Sequence, residues 1–347
     1  MGTAQESRRI RLALAAIVLP LTLAIGGCSN RPNDSPTTVP PPATTSETIV
    51  VVGRPLRRRN GRLRLARSRR GHSHLTDRQA LLLSPSVRKL LGDHWRAQGE
   101  MEHASVVAFH DLARRLVAVG APTVLCEQAV RCARQEADHT ERCFDLAGRY
   151  LGQTLHPGRL HRPLRLPPSR KTELARLAVE ALRDGVLNEG YAAWLAAGQA
   201  ERATDARVRD TLLVIARDEA EHAELSAAVL AWCLAEGGFE VATAVEAAAA
   251  FLPAAVTSCV IPPGVDAAAL ADHGLFDPDG AGYGNATGYA SVLAATHAVV
   301  PQMAIPTVDR CIATRRTTGR QLLRNRRTAS GARTTVRASD HAMEPQT

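Results

Sequence analysis

Glu136-Ala-Asp-His139 and Glu219-Ala-Glu-His222 are two Glu-x-x-His segments, each inside a long stretch of helical periodicity. Residues three apart on an α-helix lie on one face, so each segment would present a carboxylate beside an imidazole. Such a pair is half of a metal site. Glu102 and Glu189 precede the two segments by 34 and 30 residues. At about 1.5 Å per residue, each interval fits a helix, a tight turn and a return to the same height.

Apolar stripes along the four helical stretches test whether these side chains point inward together. Steps of three and four residues from the candidate ligands reach almost only apolar or small residues in all four stretches. In chain order these residues are Phe109, Leu112 and Leu116; Leu125, Ala129, Cys132, Cys143 and Leu146; Leu182, Val186, Ala193 and Ala196; and Leu212, Ile215, Ser226 and Val229. A buried ionised carboxylate costs several kcal/mol unless it is paired or metal-bound. The pattern therefore predicts a metal site formed by Glu102, Glu136, His139, Glu189, Glu219 and His222, with two cations carrying about four positive charges.

Two alternatives concern the same residues. The carboxylates could form buried salt bridges without metal, but Arg134, Arg142 and Arg217 lie off the inward stripes. Glu100-Met-Glu-His103 is a third Glu-x-x-His, yet His103 falls on a polar face of the helix and Glu100 also lies off the main apolar stripe. We therefore predict Glu102 as the ligand and His103 at the surface. Near Glu189, Asp184 could accept a hydrogen bond from a ligand histidine, and Tyr191 would serve packing.

Four helices are predicted, over residues 93–119, 122–149, 172–202 and 205–236. Short links join the first to the second and the third to the fourth, which is typical of antiparallel neighbours. Thr204 or Asp205 would cap the fourth helix. The long segment 150–171 contains two glycines and four prolines and cannot be helical throughout.

These motifs resemble the di-iron carboxylate proteins of the ferritin-like superfamily, over roughly residues 91–236. The resemblance implies an all-α, ferritin-like antiparallel four-helix bundle with a long crossover between helices two and three. It also implies that Glu136 and Glu219 bridge two metals, that Glu102 and Glu189 are terminal ligands, and that His139 and His222 each bind one metal.

The chemistry expected of such a site is redox chemistry. Oxygen-rich ligation with two imidazoles suits iron or manganese better than zinc or copper, so two Fe ions, two Mn ions or a mixed Mn/Fe pair are predicted. The resemblance implies an oxidoreductase that activates dioxygen or peroxide with an unidentified electron donor and substrate. A non-catalytic, metal-sequestering protein and a metal-free helical interaction module remain alternatives, and the sequence does not decide the oligomeric state.

The N-terminus has the order of a targeting segment. Arg8, Arg9 and Arg11 precede an apolar stretch, Leu12 to Ile25, that is short for a membrane span and typical of a signal peptide. Ile25-Gly26-Gly27-Cys28 then resembles a bacterial lipobox, which implies cleavage before Cys28 and its lipidation. An ordinary signal peptide with an incidental cysteine is the alternative. We expect a lipid anchor in the bacterial cell envelope; Ser29 is compatible with sorting to an outer membrane.

The formal net charge of +9 is concentrated outside the helical region. Nine arginines lie between Arg54 and Arg70, and eight follow Ile312. Nucleic-acid binding is not expected, because no aromatic side chains interleave with these arginines. In an oxidising compartment Cys259 and Cys311 could form a disulfide.

The predicted organisation has five parts, from the targeting segment to a basic tail. They are a lipoprotein signal peptide over 1–27, a disordered tether and Arg-rich linker over 28–90, the four-helix domain over 91–236, a partly helical extension over 237–312 and a disordered basic tail over 313–347.

Overall fold

The computed structural model describes residues 53–57, 62–73, 77–160, 169–253, 262–275 and 288–297. Within these residues the chain is mostly helical, which confirms the all-α class. The helices are α1 (Arg78–Leu81), α2 (Pro85–Ala118), α3 (Thr123–Leu151), α4 (Arg170–Glu180), α5 (Asn188–Arg202), α6 (Ala206–Ala249) and α7 (Ala267–Asp272). A π-helical segment, Ala181–Leu187, joins α4 to α5, and residues 288–297 are also helical. Two short strands, β1 (Arg69–Ser73) and β2 (Gln153–His156), pair antiparallel.

The ends of the long helices follow capping chemistry. The α2 helix begins earlier than the predicted residue 93, because the Ser84 side chain accepts from the Val87 N–H and Pro85 occupies the first helical position. The α3 helix ends at Gly152, whose φ of 65° is left-handed. Of the two predicted caps of the fourth helix, Asp205 is the one used: its carboxylate accepts from the Val208 N–H at 3.0 Å.

The helices pack as two hairpins. α2 lies along α3, while α4, the π segment and α5 lie along α6; α3 and α6 then bring the hairpins together. Every residue of the predicted apolar stripes is buried. Two large apolar clusters result among the described residues, one around Phe109 and Leu230 and another around Trp95 and Leu146, and a smaller third cluster surrounds Tyr191.

The region predicted as an Arg-rich linker differs in the structure. Arg54 and Leu56 are buried, Arg54 contacts Ser226 and Phe109, and β1 pairs with β2. The sequence did not indicate β1, because its five residues are exposed and include no apolar side chain, so the alternation that marks a half-buried strand is missing. The described part of the predicted linker thus contains buried side chains, a β-strand, α1 and the first residues of α2.

Beyond the predicted end of the fourth helix, α6 continues through a sharp break. Gly238 has φ 58° and ψ −143°, a conformation suited to glycine, and helical structure resumes to Ala249. The described residues of the predicted extension are therefore partly helical, as predicted, and α7 is one of their helices. The predicted signal peptide, Cys28, the predicted tether, Cys259, Cys311 and the predicted basic tail lie outside the described residues.

Candidate metal centre

All six predicted ligands meet in the interior between the two hairpins. Their relative exposures lie between 0% and 7%. α2 supplies one carboxylate, α5 supplies another, and α3 and α6 each supply a carboxylate and an imidazole: Glu102, Glu189, Glu136 with His139, and Glu219 with His222. We call these six side chains the carboxylate–histidine cluster.

Two carboxylates span the cluster. Glu136 places Oε1 3.4 Å from Nδ1 of His222 and Oε2 3.7 Å from Nδ1 of His139. Glu219 repeats the arrangement, with Oε2 3.6 Å from Nδ1 of His222 and Oε1 3.8 Å from Nδ1 of His139. Each of these carboxylates therefore presents one oxygen to each imidazole.

The remaining two carboxylates lie at opposite ends. Glu102 Oε2 is 3.8 Å from Nδ1 of His139. Glu189 belongs with His222: one set of donor atoms within 4.8 Å of one another comprises Glu136, Glu189, Glu219 and His222, and a second comprises Glu102, Glu136, His139 and Glu219. We call these the His222 end and the His139 end. Either set could hold a metal ion.

Several polar atoms at the centre of the cluster have no hydrogen-bond partner among the described residues. They are both oxygens of Glu136, both of Glu189, Oε2 of Glu219 and Nδ1 of each histidine. Buried polar atoms are normally hydrogen-bonded, because leaving one unpaired costs about 1–3 kcal/mol. Unpaired oxygens and imidazole nitrogens that converge on one point are the donor atoms that a cation requires.

The outer nitrogens of the imidazoles are held by neighbours. Nε2 of His139 lies 3.1 Å from Oδ2 of Asp218, and Nε2 of His222 lies 3.2 Å from Oε1 of Gln135. Both partners are acceptors, so each Nε2 carries the hydrogen and each Nδ1 can direct a lone pair inward. The prediction that Asp184 holds a histidine is wrong, because Asp184 accepts from Arg57 and Arg183 instead.

Burial and neighbouring charge shift the pKa values inside the cluster. Burial raises the pKa of Glu136 well above its usual range, and the Glu219 charge adds to this. The same two causes raise the pKa of Glu189. For Glu219 burial also acts upward, but the Glu189 and His222 side chains outweigh it and lower the pKa to about 2. Burial would lower the pKa of His139, yet its hydrogen bond with Asp218 and the nearby carboxylates raise it. In the absence of a cation, protons therefore reduce the charge repulsion.

Arg54 is a cluster neighbour that sequence reasoning missed. Its side chain is 4% exposed, and its Nε lies 3.8 Å from Oε1 of Glu189. Nη2 donates to Ser226 at 2.9 Å, and the guanidinium lies 5.0 Å from the ring centre of Phe109. The Arg54 carbonyl accepts from Ser105 at 2.7 Å. The expectation that no basic residue faces the carboxylates is therefore wrong.

The choice between Glu100 and Glu102 in α2 agrees with the structure. Glu100 accepts from the backbone and hydroxyl of Ser68, at 2.8 and 2.7 Å, away from the cluster. His103 contacts the carbonyl of Gly158 at 2.9 Å and is partly exposed. Tyr191 packs in an aromatic group with Trp194 and Tyr289, as predicted.

The π-helical segment directly precedes Glu189. Its wider turn accommodates an extra residue and changes the direction in which the following side chains point. Gly185 within it lies against Ser226 of α6: a Cβ there would be 2.1 Å from the serine Oγ and 3.0 Å from Nη2 of Arg54. Glycine therefore permits the close approach that brings Glu189 and Arg54 together.

Comparison of the chain with protein-family models, with curated proteins and with solved structures found no match. Among the described helices, Ala206–Ala249 is long and apolar enough to cross a membrane by length and composition. This is weak evidence for a span, because a core helix meets the same criterion, and this one carries Glu219 and His222.

Proposed function

We propose that this chain is a ferritin-like four-helix protein that binds a dinuclear iron or manganese centre in the carboxylate–histidine cluster. Its two hairpins each combine a helix that contributes one carboxylate with a helix that contributes Glu-x-x-His. The short, long and short connections support antiparallel hairpins joined by one crossover.

The observation that carries this proposal is the pair of spanning carboxylates. Glu136 and Glu219 each turn one oxygen toward each imidazole, and most of these buried oxygens have no hydrogen-bond partner among the described residues. Two divalent cations would balance the four carboxylate charges, whereas a metal-free interior leaves them to repel each other. Glu102 with His139, and Glu189 with His222, would complete the two ends.

Bound iron or manganese would supply redox chemistry, which is the basis for proposing an oxidoreductase that acts on dioxygen or peroxide. The surrounding residues have separate tasks. Asp218 and Gln135 orient the imidazoles and keep Nδ1 directed inward. Glu136, Glu189 and His139, whose pKa values are raised, give up protons when a cation enters. The buried surroundings keep water away from these groups.

The proposed location is the bacterial cell envelope, with a lipid on Cys28 as the anchor. The support is the order of basic residues, apolar stretch and lipobox-like segment at the N-terminus. The unidentified electron donor and substrate would then be envelope components or small molecules. Metabolic labelling with a radioactive fatty acid tests this, and equal labelling of a Cys28→Ala variant would contradict it.

Anaerobic titration of the purified protein with ferrous iron, followed by Mössbauer spectroscopy, tests the dinuclear centre. We expect about two irons per chain with the spectrum of a coupled pair after oxidation. Glu136→Ala and Glu219→Ala should abolish the coupled signal, and Glu100→Ala, on another face of α2, should retain it. Uptake below about 0.2 iron per chain would favour a metal-free interaction module.

Oxygen consumption by the ferrous protein separates catalysis from storage. Sustained uptake in the presence of a reductant supports an oxidoreductase. Uptake that stops after one stoichiometric cycle supports a metal-sequestering protein instead.

A further inference from the structure

The two ends of the carboxylate–histidine cluster carry different fixed charges. At the His222 end the Arg54 guanidinium lies beside Glu189, and the imidazole is held by the neutral amide of Gln135. At the His139 end the imidazole is held by the carboxylate of Asp218. A cation is therefore disfavoured by a nearby positive charge at one end and favoured by a nearby negative charge at the other.

The counterions of these groups do not cancel the difference. Asp218 also pairs with Arg217, but that arginine side chain is 59% exposed, so water and salt screen its charge. Asp184 lies toward Arg54, yet it is already paired with Arg57 and Arg183. Arg54 itself is buried, and its Nε has no hydrogen-bond partner among the described residues.

Resting on the dinuclear function proposed above, we infer that the two cation positions load in a fixed order. The first cation binds at the His139 end. The second binds more weakly at the His222 end, and Arg54 is the residue that sets the gap. Arg54 comes from the segment 53–57, outside the long helices. The two ends have nearly equivalent ligand sets, so the difference in cation affinity between them comes from a residue that is not itself a ligand.

The size of the gap follows from Coulomb's law. A unit charge about 6–8 Å from a divalent cation, at an effective dielectric constant of about 20, changes the affinity for that cation by roughly a thousandfold or more. Much of this effect acts on both positions, because they lie close together between the two shared carboxylates. We therefore expect a difference of about tenfold or more between the two binding steps.

Titration of the full chain with Co²⁺, followed by calorimetry and visible absorption, tests this order. The wild-type protein should bind in two resolved steps. His139→Ala should remove the tight step and His222→Ala the weak step. Arg54→Met should tighten the weak step by about tenfold or more, and Arg54→Lys should leave it nearly unchanged. Asp218→Asn should weaken the tight step by about tenfold or more.

The outcomes separate this inference from the function on which it rests. Two equal steps in the wild-type protein, or loss of the tight step in His222→Ala, would overturn the loading order while leaving the dinuclear site intact. An absence of Co²⁺ binding would overturn the site itself and the order with it. If Arg54→Met fails to fold, as judged by circular dichroism, the two histidine variants still decide the order.

Discussion

Replacing Glu136 with glutamine should have opposite effects on the metal-free and the metal-loaded protein. Glutamine nearly matches a protonated glutamic acid in shape but cannot ionise. Burial raises the pKa of Glu136 in the fold. Above the ordinary pKa of glutamate, a carboxyl whose pKa is raised by folding destabilises the fold by about 1.4 kcal/mol per pH unit, until the raised pKa is passed. We therefore expect Glu136→Gln to stabilise the metal-free protein at pH 7, by at most about 3.5 kcal/mol, since the interval between the ordinary pKa and pH 7 sets the limit.

The loaded protein should respond in the other direction. A ligand present at 100 times its Kd adds about 2.7 kcal/mol to the free energy of unfolding. At about 2–4 °C per kcal/mol for a domain of this size, Mn²⁺ should raise the Tm of the wild-type protein by roughly 5–10 °C. Glu136→Gln should lose that increase, because it removes one of the two spanning carboxylates.

Thermal unfolding with and without Mn²⁺ measures both effects. Glu100→Gln is the matched control, since that residue accepts hydrogen bonds from Ser68 and should keep the increase in Tm. The reasoning would be refuted if Glu136→Gln lowered the Tm of the metal-free protein by as much as it lowered that of the loaded protein. That result would mean that the carboxylate stabilises the fold without a cation.

Three further predictions concern protons, packing and charge. Loading divalent cations should release protons from the two carboxyls and the histidine whose pKa values are raised, as calorimetry in buffers of different ionisation enthalpy would detect. Gly185→Ala should destabilise the protein by about 1–3 kcal/mol in urea unfolding, because its Cβ would meet Ser226. Arg115→Met should cost about 3–5 kcal/mol in the same assay, because it leaves the buried Glu173 unpaired. A change below about 0.5 kcal/mol would contradict either of the last two.

The helices and the six cluster residues could be predicted from the sequence because both follow the helical repeat of 3.6 residues. Glu136 and Glu219 interrupt apolar stripes, and an ionisable group on such a stripe requires an explanation that a surface residue does not. The same reasoning separated Glu102 from Glu100, two residues that differ by about 200° around the helix. Local periodicity was enough because each ligand lies on a helix, and the residues of the apolar stripe on both sides of Glu189 are buried despite the π-helical segment before it.

Arg54 and Asp218 could not be identified in the same way. Arg54 lies in a segment with no helical or strand period, where nine arginines within a short stretch resemble a solvated linker. Its position depends on long-range contacts with Ser105 and Ser226, which no local pattern encodes. Asp218 gave no local signal either, because the imidazole that it holds is His139, a residue of another helix.

The π-helical turn before Glu189 has a consequence for how this region can change. Such a turn is an ordinary helix with one residue more than it needs, so deleting a single residue between 181 and 187 would restore regular winding and leave the hydrophobic content almost unchanged. Because the wider turns of a π-helix spread one more residue over about the same rotation, α4 and α5 would keep their present faces and Glu189 would still point to the interior. The deletion would change only the directions of side chains inside the segment and the close approach of Gly185 to Ser226. This part of the chain can therefore lose one residue without losing the alignment of the helices on either side.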